Sequence, residues 1–530
     1  MSFEPEKEKG NGGIYDVDPE LEKKLPAPLA DAIRSGSVPE NVLKHSQDAD
    51  EALKAFASHS GQVIEIDEAT NKRLLRKIDL NLMPIMCIIY GLQFLDKTTL
   101  SYASIMGLKK DIGLVGDNYQ WLGSMFYFGY LAFEYPTNRL LQRLPLGKYS
   151  AGCIIIWGIV LACFAAVKNF AGAVAIRFFL GLTESAVTPG FALITSQWYT
   201  KAEQGMRTGL WFSFNGVAQV VGGVVAYGIA KGIQVHPAAL SGWQILFLAT
   251  GLVTSAVGVV FLFCVPDNQL NARWLNKEDR ILALERIRIN QQGVGNKHFK
   301  MYQLYEALTD PMVWGFTAYA LIADIPNGGI TNFFSQLITS FGYTPQQSLL
   351  YGTPGGAVEV ATLLFCGYFG DKLHNRILIA SSGLVLGILG MALIIGLPLE
   401  NNTGRLAGYY FTQATATPFV AFLSLISTNV AGYTKKTTVA AMYLIAYCVG
   451  NIIGPQTFRP KDAPRYVPAE IVILCCYGVG LGIMLFIWSW CKRENRRKAT
   501  IRAEPGYQKL ENQEFLDLTD RENPEFVYIL

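Results

Sequence analysis

Two ionisable side chains stand inside one apolar run, and their spacing limits what they can do. From about Ala171 to Ser196 the chain is apolar over more than the roughly 20 residues that a helix needs to cross a bilayer, yet it holds Arg177 and Glu184 within RFFLGLTESAVTPG. On insertion scales a central Arg costs on the order of 2.5–3.5 kcal/mol. The two charges are seven residues apart, two helical turns, so they share one face. That face must look onto a wet cavity or onto partner charges. A guanidinium can hold an anion there and a carboxylate can carry a proton, so the stretch reads as the inner wall of a substrate path.

A second charged pair, Asp96-Lys97, lies in the first apolar run, within FLDKTTLSYAS. An intramembrane Asp needs a partner when ionised and is a proton carrier when neutral. Lys97 supplies a point charge without the fork that grips a carboxylate through two bonds. Glu184 and Asp96 are therefore the expected proton-coupling acids, and Arg177 and Lys97 the expected anion-binding cations. An arriving substrate carboxylate would compete with Glu184 for a cation and leave Glu184 ready to take a proton. The histidines His45, His59, His236, His298 and His374 all fall in tails or loops, which leaves intramembrane proton traffic to carboxylates.

Neutral polar residues complete the expected site. Asn215 and Gln219, four apart, share a helical face. Asn332 follows Pro326-Asn327-Gly328-Gly329, where a helix break is expected, and Asn451 stands in a later apolar run. Backbone freed at a break is tolerated where it lines a cavity; helix–helix hydrogen bonding is the rival reading for each residue. Asp324 and Glu359 are further intramembrane acids, for which the readings are tuning of the substrate or a place nearer the membrane interface.

The elements that must position these residues follow from hydropathy. Only 16% of the 530 residues are charged, against about 25% in soluble domains, so the chain belongs in a membrane. Apolar runs near 82–104, 119–141, 149–167, 171–196, 208–230 and 242–265 precede a polar stretch, and six more follow near 311–340, 347–369, 377–397, 405–431, 439–458 and 467–490. The expected fold is all-α and integral to the membrane, with twelve transmembrane helices in two pseudo-symmetric six-helix bundles. Its expected parts are a disordered cytosolic tail (1–75), an N-terminal bundle (76–265), a cytosolic central loop (266–310), a C-terminal bundle (311–491) and a cytosolic tail (492–530). Lys and Arg crowd the loops on one side, which by the positive-inside rule is the cytosolic one. Both termini then lie inside, and the acceptor sequon at Asn401 outside.

Twelve spans, a long middle loop, and Gly367, Asp371, Lys372 and Arg376 spaced as Gly-x-x-x-Asp-Lys-x-x-x-Arg after span 8 resemble the major facilitator superfamily. The loop after span 2 keeps Arg143, Gly147 and Lys148 of the same gating motif, with Gln142 where Asp is usual. Within that superfamily FLDKTTLSYAS, RFFLGLTESAVTPG, WFSFNGVAQVVGG, IPNGGITNF and GNIIGPQTF resemble the anion:cation symporters, most closely the fungal allantoate permease branch. The resemblance implies alternating access with a site between the halves, and proton coupling at the acid one helical face from the Arg. It also implies Asp-Arg where this chain has Asp96-Lys97. Its carriers resemble those for allantoate, nicotinate, pantothenate and biotin.

The expected function is proton-coupled uptake of a small organic anion, a ureido acid or a vitamin-type carboxylate, by a monomer in the plasma membrane. One negative charge moved inward against 100 mV costs roughly 2.3 kcal/mol, which one proton cancels. The alternatives are proton-driven export of a secondary metabolite or drug, and a nutrient sensor that binds without transport. Ala218-Gln219 stand before Gly222-Gly223 where exporters of the superfamily carry Gly-Pro, which counts against export. No nucleophile–base pair or phosphate-cradling loop lies outside the spans, so no enzyme is expected. No cofactor, metal or nucleic acid is expected either, and the cysteines read as small buried hydrophobes.

Overall fold

The computed structural model describes residues 66–236, 238–291, 300–504, 507 and 518–530. The expected N-terminal tail lies outside them up to residue 65. The described residues contain helices and no strand. They form two compact units. In the first, which reaches Arg76 and includes Asn268–Arg288, Arg73 pairs with Asp279 at 2.8 Å and Arg286 donates to Asn71 at 2.6 Å. The second, Lys77–Asp267 with Ile289–Leu530, holds the cavity and the contacts described below.

The helices of the N-terminal half are α1 (Glu68–Ile105), α2 (Leu108–Asp111), α3 (Asn118–Arg143), α4 (Leu146–Cys163), α5 (Phe170–Glu184), α6 (Val187–Trp198), α7 (Lys201–Val235) and α8 (Gly242–Cys264). After α9 (Lys277–Gln291) and α10 (Met301–Thr309) come α11 (Pro311–Ser340), α12 (Pro345–Tyr351), α13 (Thr353–Lys372), α14 (Arg376–Gly396), α15 (Asn402–Thr412), α16 (Ala416–Asn429), α17 (Tyr433–Gln456) and α18 (Val467–Arg502). Polar residues cap several of them where backbone N–H groups would otherwise be orphaned. Asn169 accepts from Gly172 N, Asp310 accepts from Met312 N ahead of Pro311, and Thr344 forms a capping box with Gln347.

Among the described residues, nine helical segments are long and apolar enough to cross a membrane. The remaining expected spans coincide with α3, α11 and the α15–α16 segment. On α3 and α11 several polar side chains, Gln120, Ser124 and Ser335 among them, contact the other half.

One expected feature is corrected. The helix does not break at Pro326-Asn327-Gly328-Gly329: α11 runs through it without interruption. The glycines serve packing, because a Cβ on Gly328 would lie 2.8 Å from the Asn451 backbone and one on Gly329 2.7 Å from the Phe458 ring. The breaks fall elsewhere, at Ser185-Ala186 between α5 and α6, at Gly352 between α12 and α13, and at Gln413–Thr415 between α15 and α16. The first and last occupy related positions in the two halves, expected spans 4 and 10. Glu184 is the last residue of α5, at the first of these breaks.

Close backbone contact sets the depth at which this end sits. A Cβ on Gly181 would be 1.9 Å from Phe126 O, and one on Gly129 2.0 Å from Phe178 O. Only paired glycines let α3 and α5 approach so far, a packing device of membrane helices. The contact holds the Arg177–Glu184 face against α3 and α1.

A candidate substrate cavity between the two halves

A cavity of about 170 Å³ lies between the two halves. The N-terminal half contributes Gln93 and Lys97 from α1, Tyr127 and Tyr130 from α3, and Asn215 from α7. The C-terminal half contributes Asp324 and Asn327 from α11, Glu359 from α13 and Tyr447 from α17. Its charge is divided: a cation on one wall and two carboxylic acids on the other.

Lys97 is the charged group that the N-terminal half shows to the cavity. Its ammonium lies 3.0 Å from Glu184 Oε1, with the Lys side chain 16% exposed and the Glu side chain fully buried. Glu184 thus sits behind Lys97, as seen from the cavity. Arg177 is deeper. Its Nε donates to Leu122 O at 3.1 Å, and its guanidinium stacks 5.2 Å from the centre of the Phe126 ring. Lys97 lies 5.7 Å from the same ring centre, so one aromatic ring supports both cations. Arg177 does not line the cavity and forms no ion pair with Glu184. Asp96 points the other way along α1, where its Oδ2 accepts from Trp157 Nε1 at 2.7 Å. Asp96 Oδ1, Arg177 Nη1 and Glu184 Oε2 have no hydrogen-bond partner.

The neutral residues separate into four settings. Asn215 lines the cavity. Gln219, one turn further along α7, bridges the halves by donating to Gly352 O at 3.1 Å and to Tyr409 Oη at 2.9 Å. Asn332 donates to Gly328 O on its own helix at 2.7 Å and is buried away from the cavity. Asn451 stands directly behind the cavity wall. Its Nδ2 donates to Asp324 Oδ1 at 3.0 Å, and its Oδ1 accepts from Asn327 at 2.9 Å.

The halves are latched on one side of this cavity. Ser101 Oγ contacts Ser335 Oγ at 3.1 Å, Lys109 donates to Gln336 at 2.7 Å, and Tyr119 donates to Asn332 O at 2.7 Å. Gln120 donates to Phe458 O and Ser124 to Ile452 O, at 2.7 and 2.6 Å. All of these lie toward the end of the bundles opposite the loops that carry the gating motif. Near Gln219, backbone meets backbone: a Cβ on Gly216 would be 2.3 Å from Gly356 O. On the motif side the halves meet through rings instead. Tyr130 and Tyr447 have centroids 6.3 Å apart, Phe212 and Phe419 also 6.3 Å. One closure is thick and hydrogen-bonded, and the other is a thin aromatic layer.

In the motif loops, the Lys148 backbone N–H donates to Asp267 Oδ1 at 3.0 Å and its ammonium lies 3.4 Å from Asp267 Oδ2. A Cβ on Gly147 would come within 2.8 Å of Val265 O. Asp267 is a partner that the sequence pattern did not single out, since it lies in a polar stretch with many charges. Arg143 ends α3 and is exposed, and Gly367 is in the open. Lys372 stacks on Tyr368 at 5.6 Å, and Arg376 donates to Ser424 at 3.1 Å. The Asp371 side chain lies outside what the structure describes. Asn401, in the sequon, caps α15 by accepting from Gly404 N at 3.0 Å.

Comparison with known proteins agrees with this architecture. Residues 86–455 match the model of the Major Facilitator Superfamily. An uncharacterised transporter of Schizosaccharomyces pombe, C417.10, is 44% identical over 88% of this chain and 91% of its own length. The allantoate permease of Saccharomyces cerevisiae is 38% identical over 92% of this chain and 91% of its own length. Among solved structures, the bacterial homologue of the human lysosomal transporter Spinster, inward-facing and occupied, aligns with a TM-score of 0.56. That alignment covers 77% of this chain and 96% of the other at 16% identity, and so speaks to the fold. A membrane-embedded helical chain with a cavity between two latched halves and relatives of this kind is a transporter and not an enzyme: it belongs to the major facilitator superfamily.

Proposed function

We propose that the protein takes up a small organic anion together with protons by alternating access. The observation that supports this is the pairing of Lys97, on the cavity wall, with Glu184 behind it. In the unloaded state each group neutralises the other. A substrate carboxylate entering the cavity meets Lys97 first and draws its ammonium away from Glu184. A buried carboxylate stripped of its counter-charge is costly, and taking a proton relieves that cost. Substrate and proton therefore load together. Release runs in reverse, as Glu184 gives up its proton and reclaims Lys97. In this scheme Lys97 holds the anion, Arg177 supports it from behind Phe126, and Asp96 anchors α1 to α4 through Trp157. Asn215 contacts substrate from α7, while Gln219, Asn332 and Asn451 act on packing and on the cavity wall.

The loops bearing Lys148 and Arg376 are assigned to the cytosol. The hydrogen-bonded latch is then the outer closure and the aromatic layer the inner one. The twelve-span count, the six-plus-six division, cytosolic termini, a monomer and the plasma membrane all belong to this reading. The similarity to an allantoate permease favours an anionic substrate class that includes ureido acids. The test is Glu184→Gln in proteoliposomes with an imposed proton gradient. Proton-driven accumulation should disappear while exchange of internal for external substrate persists; accumulation at the wild-type level would refute the scheme.

A further inference from the structure

The C-terminal wall of the cavity has a feature that holding a carboxylate at Lys97 leaves unused. Asp324 is 3% exposed and lines the cavity. Its Oδ1 accepts from Asn451 Nδ2 at 3.0 Å and from Asn327 Nδ2 at 3.3 Å, while its Oδ2 has no partner. The Asn327 amide also donates to Asn451 Oδ1 at 2.9 Å, and Asn451 donates to Tyr447 O at 2.9 Å. Two amides thus fix one carboxylate oxygen and commit their own donors in doing so. The second oxygen is left as an acceptor in a site where burial makes an unmade hydrogen bond expensive.

The backbone under this group is equally committed. A Cβ on Gly450 would come within 2.6 Å of Leu321 O and 2.8 Å of the Asp324 Cβ, and one on Gly454 within 2.4 Å of Ile325 O. With α11 and α17 packed this tightly, Asp324 cannot retreat to find another partner. Glu359 lines the same wall from α13 and adds a second acid to it. A preorganised acid on one wall of a small cavity and a cation on the other define a ligand with two unlike ends.

Resting on the anion-uptake reading above, we propose that Asp324 is a specificity-determining residue that receives an N–H-bearing group on the end of the substrate opposite its carboxylate. The substrate class is then carboxylates that also present N–H donors, whether a neutral ureido or amide group or an ammonium. Asn327 and Asn451 are positioning residues, which hold Asp324 Oδ1 so that Oδ2 meets the donor.

The test uses the full-length protein in nanodiscs and measures binding of four small molecules. N-carbamoylglycine presents a carboxylate and a neutral N–H head. 4-Aminobutanoate presents a carboxylate and an ammonium. 4-Oxopentanoate matches N-carbamoylglycine in shape but has CH3 and CH2 in place of its two nitrogens. The carboxamide of N-carbamoylglycine keeps the head and loses the carboxylate charge. At least one N–H-bearing acid should bind about tenfold or more tightly than 4-oxopentanoate, the scale of a lost hydrogen bond to a charged group. Which of the two binds distinguishes a neutral head from an ammonium. In Asp324→Asn that ratio should fall toward one, and Asn451→Ala should lower it with Asp324 intact. Equal binding of 4-oxopentanoate, or no binding of either N–H-bearing acid, overturns the proposal. So does a ratio preserved in Asp324→Asn, the result expected if Asp324 only carries a proton. Binding of the carboxamide as tight as its parent acid would instead overturn the anion reading and leave the N–H reading standing.

Discussion

Two lysines in this protein pair with buried carboxylates, and their surroundings differ. Lys435, near the start of α17, is fully buried, with Asp310 at 2.7 Å, Asp520 at 2.8 Å and Glu306 at 2.9 Å. The acids are themselves occupied. Asp310 caps Met312 N, Asp520 accepts from the Tyr528 hydroxyl at 2.8 Å, and Glu306 accepts from Thr519 at 2.9 Å. The segment after residue 517 returns to the bundle through this cluster, and Asn429 and Asn495 pair with the backbone of Ile529 and Tyr528. Around Lys97 the opposite holds: one acid at 3.0 Å, with Asp96, Arg177 and Glu184 each leaving an atom unpaired. A cluster with every group satisfied has one state and serves as a rivet. A cluster with atoms left over can change partners, which transport requires.

The comparison can be broken by experiment. The largest effect is expected from Lys97→Met combined with Glu184→Gln. Proton-driven uptake should fall to the level of empty vesicles, while the melting temperature in detergent stays at or above wild type. Replacing a whole buried ion pair with neutral groups is often neutral or stabilising. If the double variant melts far below wild type, the Lys97 cluster is a rivet too. Next is Lys435→Met, which leaves three facing carboxylates without their cation. It should cost about 3–5 kcal/mol of stability, since one partner of a buried cluster is removed, read as a large drop in melting temperature. A variant that melts like wild type would remove the contrast from the other side. The smallest effect concerns the latch. Ser101→Ala loses its contacts with Ser335, worth about 0.5–1.5 kcal/mol. It should shift the balance toward the state open on the latch side, seen as faster labelling of a cysteine placed at Asn215, with little change in melting.

Much of the site was legible because charge in an apolar run is costly wherever it lies. Arg177, Glu184, Asp96 and Lys97 stand out on composition alone, and the structure gathers them around α1, α3 and α5. Their pairing was not legible. Helical spacing puts Arg177 and Glu184 on one face, yet Glu184 pairs with Lys97 from another helix. The α5 break at Ser185 and the Gly129–Gly181 contact decide which cation is near. Asp324 and Glu359 were visible as acids, with substrate tuning and an interfacial place both open, until the structure put them on the cavity lining. Gln219 and Asn215, alike in the sequence, separated once the halves met: one lines the cavity and the other joins the latch. The Pro326–Gly329 stretch misled because glycine next to proline reads as a break when its neighbour is unknown. Against α17 the same glycines are contact points.

The sequence by itself determined the membrane location, the helical class, the family and the identity of the charged residues. These depend on local hydropathy, periodicity and motif, which every stretch of chain carries with it. Only the tertiary structure decided which charges pair, which polar side chains are spent on holding the halves together, and which remain for a ligand. Hydrogen bonds and ion pairs act over about 3 Å, and residues as far apart as Lys97 and Glu184, or Asp324 and Asn451, come within that range only when helices from distant parts of the chain have packed.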